Sequence, residues 1–464
     1  MGTGKRRIRV GNAAGFLGDQ LSAPRTLVES APLDYLTLEY LAELTLSILA
    51  QQRRRSPDAG YARDFVDVVG ELAATLSTSS WRIVTNAGGV NPIACVREVS
   101  RVCVGAGLAE EKIAAVTGDD LLPQLRTLRA AGCDLRHLET EEPLAKSDEE
   151  IVCANAYLGA RPIVDALDRQ ARIVVTGRVA DASLTVGPCV HEFGWEWSDL
   201  KRLAGASVAG HLIECGSQVT GGYSTSWTEN LLADVGYPIA EIDTDGHCTI
   251  AKPDGSGGRV DRQTVAEQLV YEIGDPAAYL TPDVSVDFTQ VELQETASNR
   301  VHVRGAVGVA PPQTYKVSLA FRDGFTANAQ LLVYGDDCQS KAHACAEMIA
   351  ARLARAGATP EQFHVELLGA GAGVPGLDTP TDQLPEVMLR LSVREPNRAT
   401  VERFTKEIAP LITSGPAGLA GYAASRSRVR PAFAFWPTSV PMSLLKPQVA
   451  VKPASEWSAS CPTR

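Results

Sequence analysis

The residues of this chain best suited to anion binding and proton transfer lie in the sequence Thr-Gly-Arg-Val-Ala-Asp-Ala-Ser. Arg178 carries a planar guanidinium with five donors, which suits a carboxylate or a phosphate. Asp181 could orient that guanidinium or transfer a proton itself. Ser183 and the helix amides that follow it could receive an anion. The alternative interpretation is a structural pair of Arg178 and Asp181 at the end of a strand.

A second candidate group lies in the sequence Ala-Gly-His-Leu-Ile-Glu-Cys-Gly. If this segment is helical, the side chains of His211, Glu214 and Cys215 share one face. His211 and Glu214 are then candidates for acid–base catalysis, and a satisfied core histidine is the alternative. We do not favour zinc there, because a structural zinc site needs a fourth ligand. Gly221 and Gly222, which follow, would let a loop approach a ligand closely.

Three further polar turns each precede a predicted helix. Their candidate residues are Asn86, Gly88, Gly89 and Asn91 in the first turn, Asp119 in the second, and Asn155 and Tyr157 in the third. The first turn could donate hydrogen bonds to an enolate oxygen. Asp119 and its neighbour Asp120 could bind a divalent cation or act as acid and base. The same pair could instead cap a helix.

Strands that alternate with helices must position these residues. Short apolar segments predict strands at residues 6–10, 33–40, 81–85, 112–117 and 173–176. Such alternation is typical of a parallel sheet with covering helices, and ligands bind outside the carboxyl ends of its strands. The segment Val186-Gly187-Pro188 is predicted to end the helix that follows the last of these strands.

The pattern changes near residue 290, where alternating strands precede a helix, two strands, a helix and a final strand. This β-α-β-β-α-β order is that of a ferredoxin-like unit. The sequence therefore predicts an α/β protein in which a parallel-sheet domain with covering helices, residues 1–285, carries the site. A smaller α+β ferredoxin-like domain, residues 286–445, and a loosely ordered tail, residues 446–464, follow it.

Bulk composition narrows the range of partners. The chain has 464 residues and a formal net charge of −11, which disfavours nucleic acid and membrane as main partners. Ten cysteines without a CxxC pair are typical of a reduced cytoplasmic protein. The chain has no nucleotide or redox-cofactor motif, so the cofactor stays undefined, and a divalent metal is not favoured. Homo-oligomerisation is expected on general grounds.

The chain resembles the acyclic terpene utilisation AtuA family over most of residues 6 to 440. The resemblance is carried by Gly11 to Asp19, Thr85 to Pro92, Gly118 to Asp120, Asn155 to Ala160, Thr176 to Thr185, Ala209 to Gly216, Tyr237 to Ile239, and Thr314 to Val317. The namesake of the family belongs to the catabolism of citronellol-like terpenes through branched acyl-CoA esters. Many members carry a further small α/β domain or occur with a small companion protein.

The residues and the resemblance together predict a lyase or hydro-lyase that acts on a branched carboxylic acid or its acyl-CoA thioester. Arg178 would clamp the substrate anion, His211 or Asp181 would transfer protons, and the turn at Asn86 would stabilise an enolate. The alternative is an acyl-ligand-binding or half-catalytic subunit that needs a small companion protein.

Overall fold

A computed structural model of the chain describes residues 6–227, 232–374, 384–422 and 427–459. The protein is a mixed α/β structure with several sheets, which confirms the predicted class. No helix within these ranges is both long enough and apolar enough to span a membrane.

The strands and helices of the described residues have the following bounds, and the two kinds of element alternate in the first half of the chain. The strands are β1 (Arg7–Asn12), β2 (Tyr35–Leu38), β3 (Arg82–Thr85), β4 (Lys112–Thr117), β5 (Ile151–Ala156), β6 (Ile173–Thr176), β7 (Ile239–Asp243), β8 (Cys248–Ala251), β9 (Tyr279–Leu280), β10 (Ser285–Asp287), β11 (Glu292–Ala297), β12 (Arg300–Arg304), β13 (Val307–Val309), β14 (Thr314–Tyr334), β15 (Gln362–Leu368), β16 (Glu386–Glu395), β17 (Leu419–Tyr422), β18 (Arg430–Pro441) and β19 (Gln448–Pro453). The helices are α1 (Ala23–Ser30), α2 (Glu43–Arg55), α3 (Arg63–Thr78), α4 (Pro92–Gly105), α5 (Leu125–Ala130), α6 (Arg161–Asp168), α7 (Ser183–Phe193), α8 (Leu200–Glu214), α9 (Arg262–Val270), α10 (Cys338–Arg355), α11 (Arg398–Ile408), α12 (Leu411–Ser414) and α13 (Ala454–Ala459).

The chain forms two compact units, one of residues 1–320 with 435–464 and the other of residues 321–434. Residues 1–5 and 460–464 lie outside the described residues. These units differ from the expected domains, because the smaller unit begins later than residue 286 and the segment that follows it returns to the larger unit.

The larger unit is built around five adjacent parallel strands in the order β1-β2-β3-β6-β4. Every residue of β2 and of β6 is buried, as expected for strands with both faces covered. Because the strands are parallel, the polar residues that follow them emerge at one edge of the sheet. That edge is where the predicted site residues begin.

Antiparallel strands extend this sheet on both sides. Strands β7, β8, β12 and β11 continue it beyond β1, and β19 pairs with β4. Strands β11 and β12, which we expect in the smaller domain, therefore belong to the large sheet. Buried and exposed residues alternate in β12, whereas β11 is exposed at nearly every residue, and neither pattern specifies which sheet a strand joins.

Helix α7 continues through Gly187 and Pro188, so the predicted helix break there is wrong. Residues Ser183 to Val190 of this helix are all buried, and this packing outweighs the local cost of an internal proline. Gly187 is required there, because a Cβ would lie 2.5 Å from the Ile163 side chain of α6. The helix ends only at Gly194, which has the left-handed conformation.

The smaller unit contains a sheet in the order β15-β16-β14-β17, and its elements follow in the order strand, helix, two strands, two helices and strand. Its core joins α10 and α11 to β15 and β16. The fully buried members include Cys345, Ile349, Leu389, Val401, Phe404 and Ile408.

The segment expected to be a loosely ordered tail is part of the large sheet. Strand β19 pairs with β4 over six residues, and the indole of Trp457 donates a hydrogen bond to the Ile113 carbonyl at 2.9 Å. Trp457 is 5% exposed, so its ring lies in the core. Of the two prolines that predict disorder, Pro447 precedes the edge strand β19 and Pro453 is its last residue, and proline is tolerated on edge strands.

We predict that Trp457→Ala lowers the free energy of unfolding of the larger unit by about 3–5 kcal/mol, because it removes a buried aromatic side chain. Glu456→Ala, a change at an exposed position of the same helix, is the control. Urea unfolding followed by circular dichroism measures both. Equal stability of the two variants would show that the last helix contributes little to the fold.

Candidate functional site

The loops that follow β1, β2 and β6 line a cleft of about 680 Å³ in the larger unit. Its other walls come from the end of α8, from the segment after α9, and from β9 and the start of β14. The volume lies within the range of about 300–1,000 Å³ that small-molecule sites occupy. The cleft therefore occupies the expected edge of the sheet.

Carboxyl groups outnumber cations in this cleft. The lining acids are Asp19, Glu39, Glu43, Asp181, Glu214 and Glu272, and the lining basic residues are Arg178, Lys316 and His211. Aromatic rings form much of the remaining wall, namely those of Phe16, Tyr157, Tyr223, Tyr271 and Tyr279. The cleft thus places side chains that can transfer protons next to aromatic rings.

The Arg178 guanidinium is buried, with 4% of its side chain exposed, and acids surround it. Its Nη1 lies 2.7 Å from Asp181 Oδ1 and 3.5 Å from Glu39 Oε1, and it donates to the Leu41 carbonyl at 2.9 Å. The contact with Asp181 is an ion pair rather than an aligned hydrogen bond, since Oδ1 has no hydrogen-bond partner in the described structure. Asp181 therefore already compensates the charge that we expected to bind a substrate anion.

Tyr157 covers Arg178 from one side. The guanidinium carbon lies 4.0 Å from the centre of the Tyr157 ring, and Lys316 Nζ lies 4.7 Å from the same centre. The Tyr157 hydroxyl donates to Glu43 Oε1 at 2.6 Å. Burial alone would raise the pKa of Glu43, but the bond from Tyr157 and the nearby cations hold that pKa below its usual value. Glu43 is therefore ionised at neutral pH.

Glu39 differs from Glu43, because burial and the neighbouring Asp181 raise its pKa, although Arg178 opposes them. Its Oε1 accepts hydrogen bonds from the Asn86 amide group and from the Leu41 amide. Its Oε2 has no hydrogen-bond partner among the described residues. Asn86, which we expected to contact substrate, is fully buried and instead orients this carboxyl group.

His211 and Glu214 form the second acid–base unit of the cleft. His211 Nδ1 lies 3.0 Å from Glu214 Oε1, and its Nε2 lies 3.0 Å from the Gln268 carbonyl. Burial lowers the pKa of His211, but Glu214 and the Gln268 carbonyl raise it above its usual value overall. Burial also raises the pKa of Glu214, and Asp181 and Glu272 add to this effect while His211 opposes it. Glu214 Oε2 has no partner in the described structure.

Other predicted residues lie beneath the cleft, outside its lining. Asp119 Oδ2 accepts hydrogen bonds from the Arg178 amide and the Asn155 side chain, both at 2.8 Å. Burial raises the pKa of Asp119 to about 6 despite these bonds. Asp119 and Asn155 therefore hold the backbone that presents Arg178.

The remaining predicted residues support turns and helix ends. Asn91 caps α4 and donates to the Pro57 and Ala59 carbonyls. Ser183 donates to Asp283 at 2.9 Å. Gly88 and Gly89 are buried, and a Cβ on Gly88 would lie 2.4 Å from the Thr176 carbonyl oxygen. Of the glycine pair in the later loop, Gly222 lines the cleft and Gly221 does not.

Several cleft residues were absent from the predicted set, most importantly Glu39, Glu43, Glu272, Tyr279 and Lys316. Glu39 and Glu43 follow β2, so the strand-end rule applied to Arg178 would also have selected them. Glu272 and Tyr279 follow no parallel strand, and only the folded chain brings them to the cleft. Within the described ranges no group of three or more His, Cys, Asp or Glu side chains could hold a metal ion.

We predict that Arg178→Met lowers the free energy of unfolding by about 3–5 kcal/mol, because it removes a buried cation that pairs with Asp181 and leaves the buried polar groups around it without their partner. Adding Asp181→Asn should restore part of this loss, and a double-mutant cycle in urea measures the coupling. Arg25→Met, at an exposed helix position, is the control and should leave the stability nearly unchanged. Unchanged stability of Arg178→Met would identify Arg178 as a free anion-binding group.

Comparison with known proteins agrees with the resemblance carried by the sequence motifs. No curated protein and no solved structure matches the chain. The model of the acyclic terpene utilisation family protein AtuA matches residues 8–451, which include every residue of the cleft. The chain therefore belongs to the AtuA family.

Proposed function

We propose that the chain is a lyase or hydro-lyase that transfers protons on a branched acyl thioester. The observation that carries the proposal is the pair Glu39 and Glu214, two buried carboxyl groups of raised pKa that line one cleft. Each has one oxygen without a partner in the described structure. A carboxyl group exchanges protons efficiently when its pKa lies close to the working pH.

In the proposed dehydration, Glu214 removes a proton from the carbon next to the thioester carbonyl. The electron pair of that C–H bond forms the new double bond, and the hydroxyl on the adjacent carbon leaves with a proton from Glu39 as water. Hydration runs through the same steps in reverse. His211 holds Glu214 in place and does not itself reach the substrate, since both of its ring nitrogens have protein partners.

The charge of the cleft favours a neutral acyl group over a free carboxylate. Six carboxyl groups line the cleft, and the ion pair with Asp181 already offsets the charge of the buried cation Arg178. A substrate carboxylate would meet like charges there, which is unfavourable at short range. The aromatic wall suits a branched hydrocarbon chain, and the family's name refers to acyclic terpenes, which are branched hydrocarbons.

The exposed rim of the cleft supports a second candidate, a half-catalytic subunit that binds the acyl ligand and needs a small companion protein. Phe16, Tyr223 and Leu280 line the cleft and are 58%, 74% and 64% exposed. Exposed apolar side chains grouped around a site are typical of interaction surfaces. Such a companion would cover this rim.

We also propose three broader features of the protein. The strand order and element order of the smaller unit support a ferredoxin-like split β-α-β arrangement. The unpaired cysteines support a cytoplasmic location. A homo-oligomeric state is proposed on general grounds.

Solvent exchange tests the reaction class without knowledge of the net reaction. Purified protein is incubated in D₂O with branched 3-hydroxyacyl-CoA and enoyl-CoA thioesters and, separately, with the free acids. Mass spectrometry should detect deuterium next to the carbonyl, or gain or loss of water, with the thioesters alone. If exchange appears only when a companion protein is added, the half-catalytic subunit is correct. Exchange with the free acids alone would contradict the proposed substrate class.

We predict that Glu214→Gln reduces the exchange rate by about 10²–10⁴-fold, because the amide cannot accept the proton. Glu272→Gln is the matched control, since it also removes a cleft carboxylate. It should retain exchange and shift the pH profile to lower pH, because the Glu272 charge raises the pKa of Glu214. If the two variants lose equal activity, the cleft acts through total charge and Glu214 is not the base.

A further inference from the structure

A second pocket, of about 270 Å³, lies in the larger unit between the C-terminal half of α2 and the turns that follow β3 and β4. Its apolar lining consists of Ala50, Val90, Leu122, Pro123, Val152 and Cys153. Burial raises the pKa of Cys153 to about 11, so its thiol is neutral at physiological pH. The pocket shares no lining residue with the acidic cleft.

Two arginines and one aspartate are the charged residues of this pocket. Arg53 Nη1 lies 2.9 Å from Asp120 Oδ2 and donates to the Val90 carbonyl at 2.6 Å. Asp120 also accepts a hydrogen bond from the Leu122 amide at 3.1 Å. The Arg53–Asp120 pair is thus charge-balanced and fixes the rim of the pocket.

Arg54 has no such balance. Its contact within the described residues is a long hydrogen bond of 3.4 Å from Nη2 to the Ile151 carbonyl, and no carboxylate there pairs with it. The pocket therefore combines an apolar wall with an exposed guanidinium that pairs with no carboxylate of the described residues, unlike the acidic cleft. A guanidinium with free donors binds a carboxylate by paired hydrogen bonds.

We infer that this pocket binds a short aliphatic carboxylate. The carboxylate pairs with Arg54 and the hydrocarbon chain occupies the apolar wall. The volume lies below the usual range for small-molecule sites, so the ligand is small. This binding does not depend on the reaction proposed for the cleft.

The test uses 3-methylbutanoate as the probe and isothermal titration calorimetry on the full chain. Acetate carries the charge without the branched chain, and 3-methylbutan-1-ol carries the chain without the charge. We expect saturable binding of 3-methylbutanoate and weaker binding of both analogues. No binding of 3-methylbutanoate, or equal binding of the alcohol, would overturn the inference.

Three variants locate the binding. Arg54→Gln should weaken the binding of 3-methylbutanoate by on the order of tenfold to a hundredfold, as expected for a hydrogen bond between charged groups. Arg55→Gln removes a positive charge from the next residue, which does not line the pocket. This variant should bind 3-methylbutanoate as tightly as the unmodified chain does. Glu214→Gln, in the cleft, should also bind normally. Retained binding in Arg54→Gln, or loss in Glu214→Gln, would overturn the inference and place the probe elsewhere.

Discussion

A buried guanidinium must be compensated where it lies, and the compensation of Arg178 organises the candidate site. Arg178 follows the parallel strand β6 at the edge of the sheet. Its backbone N–H donates a hydrogen bond to Asp119. Asp181 supplies the opposing charge, the Glu39 carboxyl group lies 3.5 Å from the guanidinium, and Tyr157 covers it. Because ion pairs buried in this way are costly to break, we interpret the cluster as a fixed scaffold for the cleft.

The same burial separates the carboxyl groups of the cleft into two kinds. Glu43 receives a hydrogen bond from Tyr157 and lies near two cations, so its pKa is lowered. Glu39 and Glu214 are also paired with cations, but burial and neighbouring acids outweigh that pairing and raise their pKa. Neighbouring carboxyl groups whose surroundings drive their pKa values apart are a recurring way to assign acid and base roles at one pH.

The sequence predicted the edge of the sheet where the cleft lies better than it predicted the contacts of the polar residues there. A short run of apolar β-branched residues is enough to predict a strand such as Ile173–Thr176. The rule that ligands bind at the carboxyl ends of parallel strands then locates the cleft. The sequence could not separate the polar residues that line the cleft from those that support it. Asn86 and Asp119 are supporting residues because they form hydrogen bonds with Glu39 and with the Arg178 amide, which are distant in sequence. The helix through Pro188 and the return of β19 to the sheet likewise depend on tertiary packing.

The most direct test of the account is the ionisation of Glu39 and Glu214. Isotope-edited infrared spectroscopy or carbon NMR of protein with labelled glutamate carboxyls follows each titration, and Glu39→Gln and Glu214→Gln assign the signals. We expect two glutamate signals that titrate well above the usual value of about 4.3, with apparent values that belong to interacting groups. Titration of both carboxyls near that usual value would contradict the account, because Glu39 would then be ionised and could not donate a proton near neutral pH, and Glu214 would be a weak base.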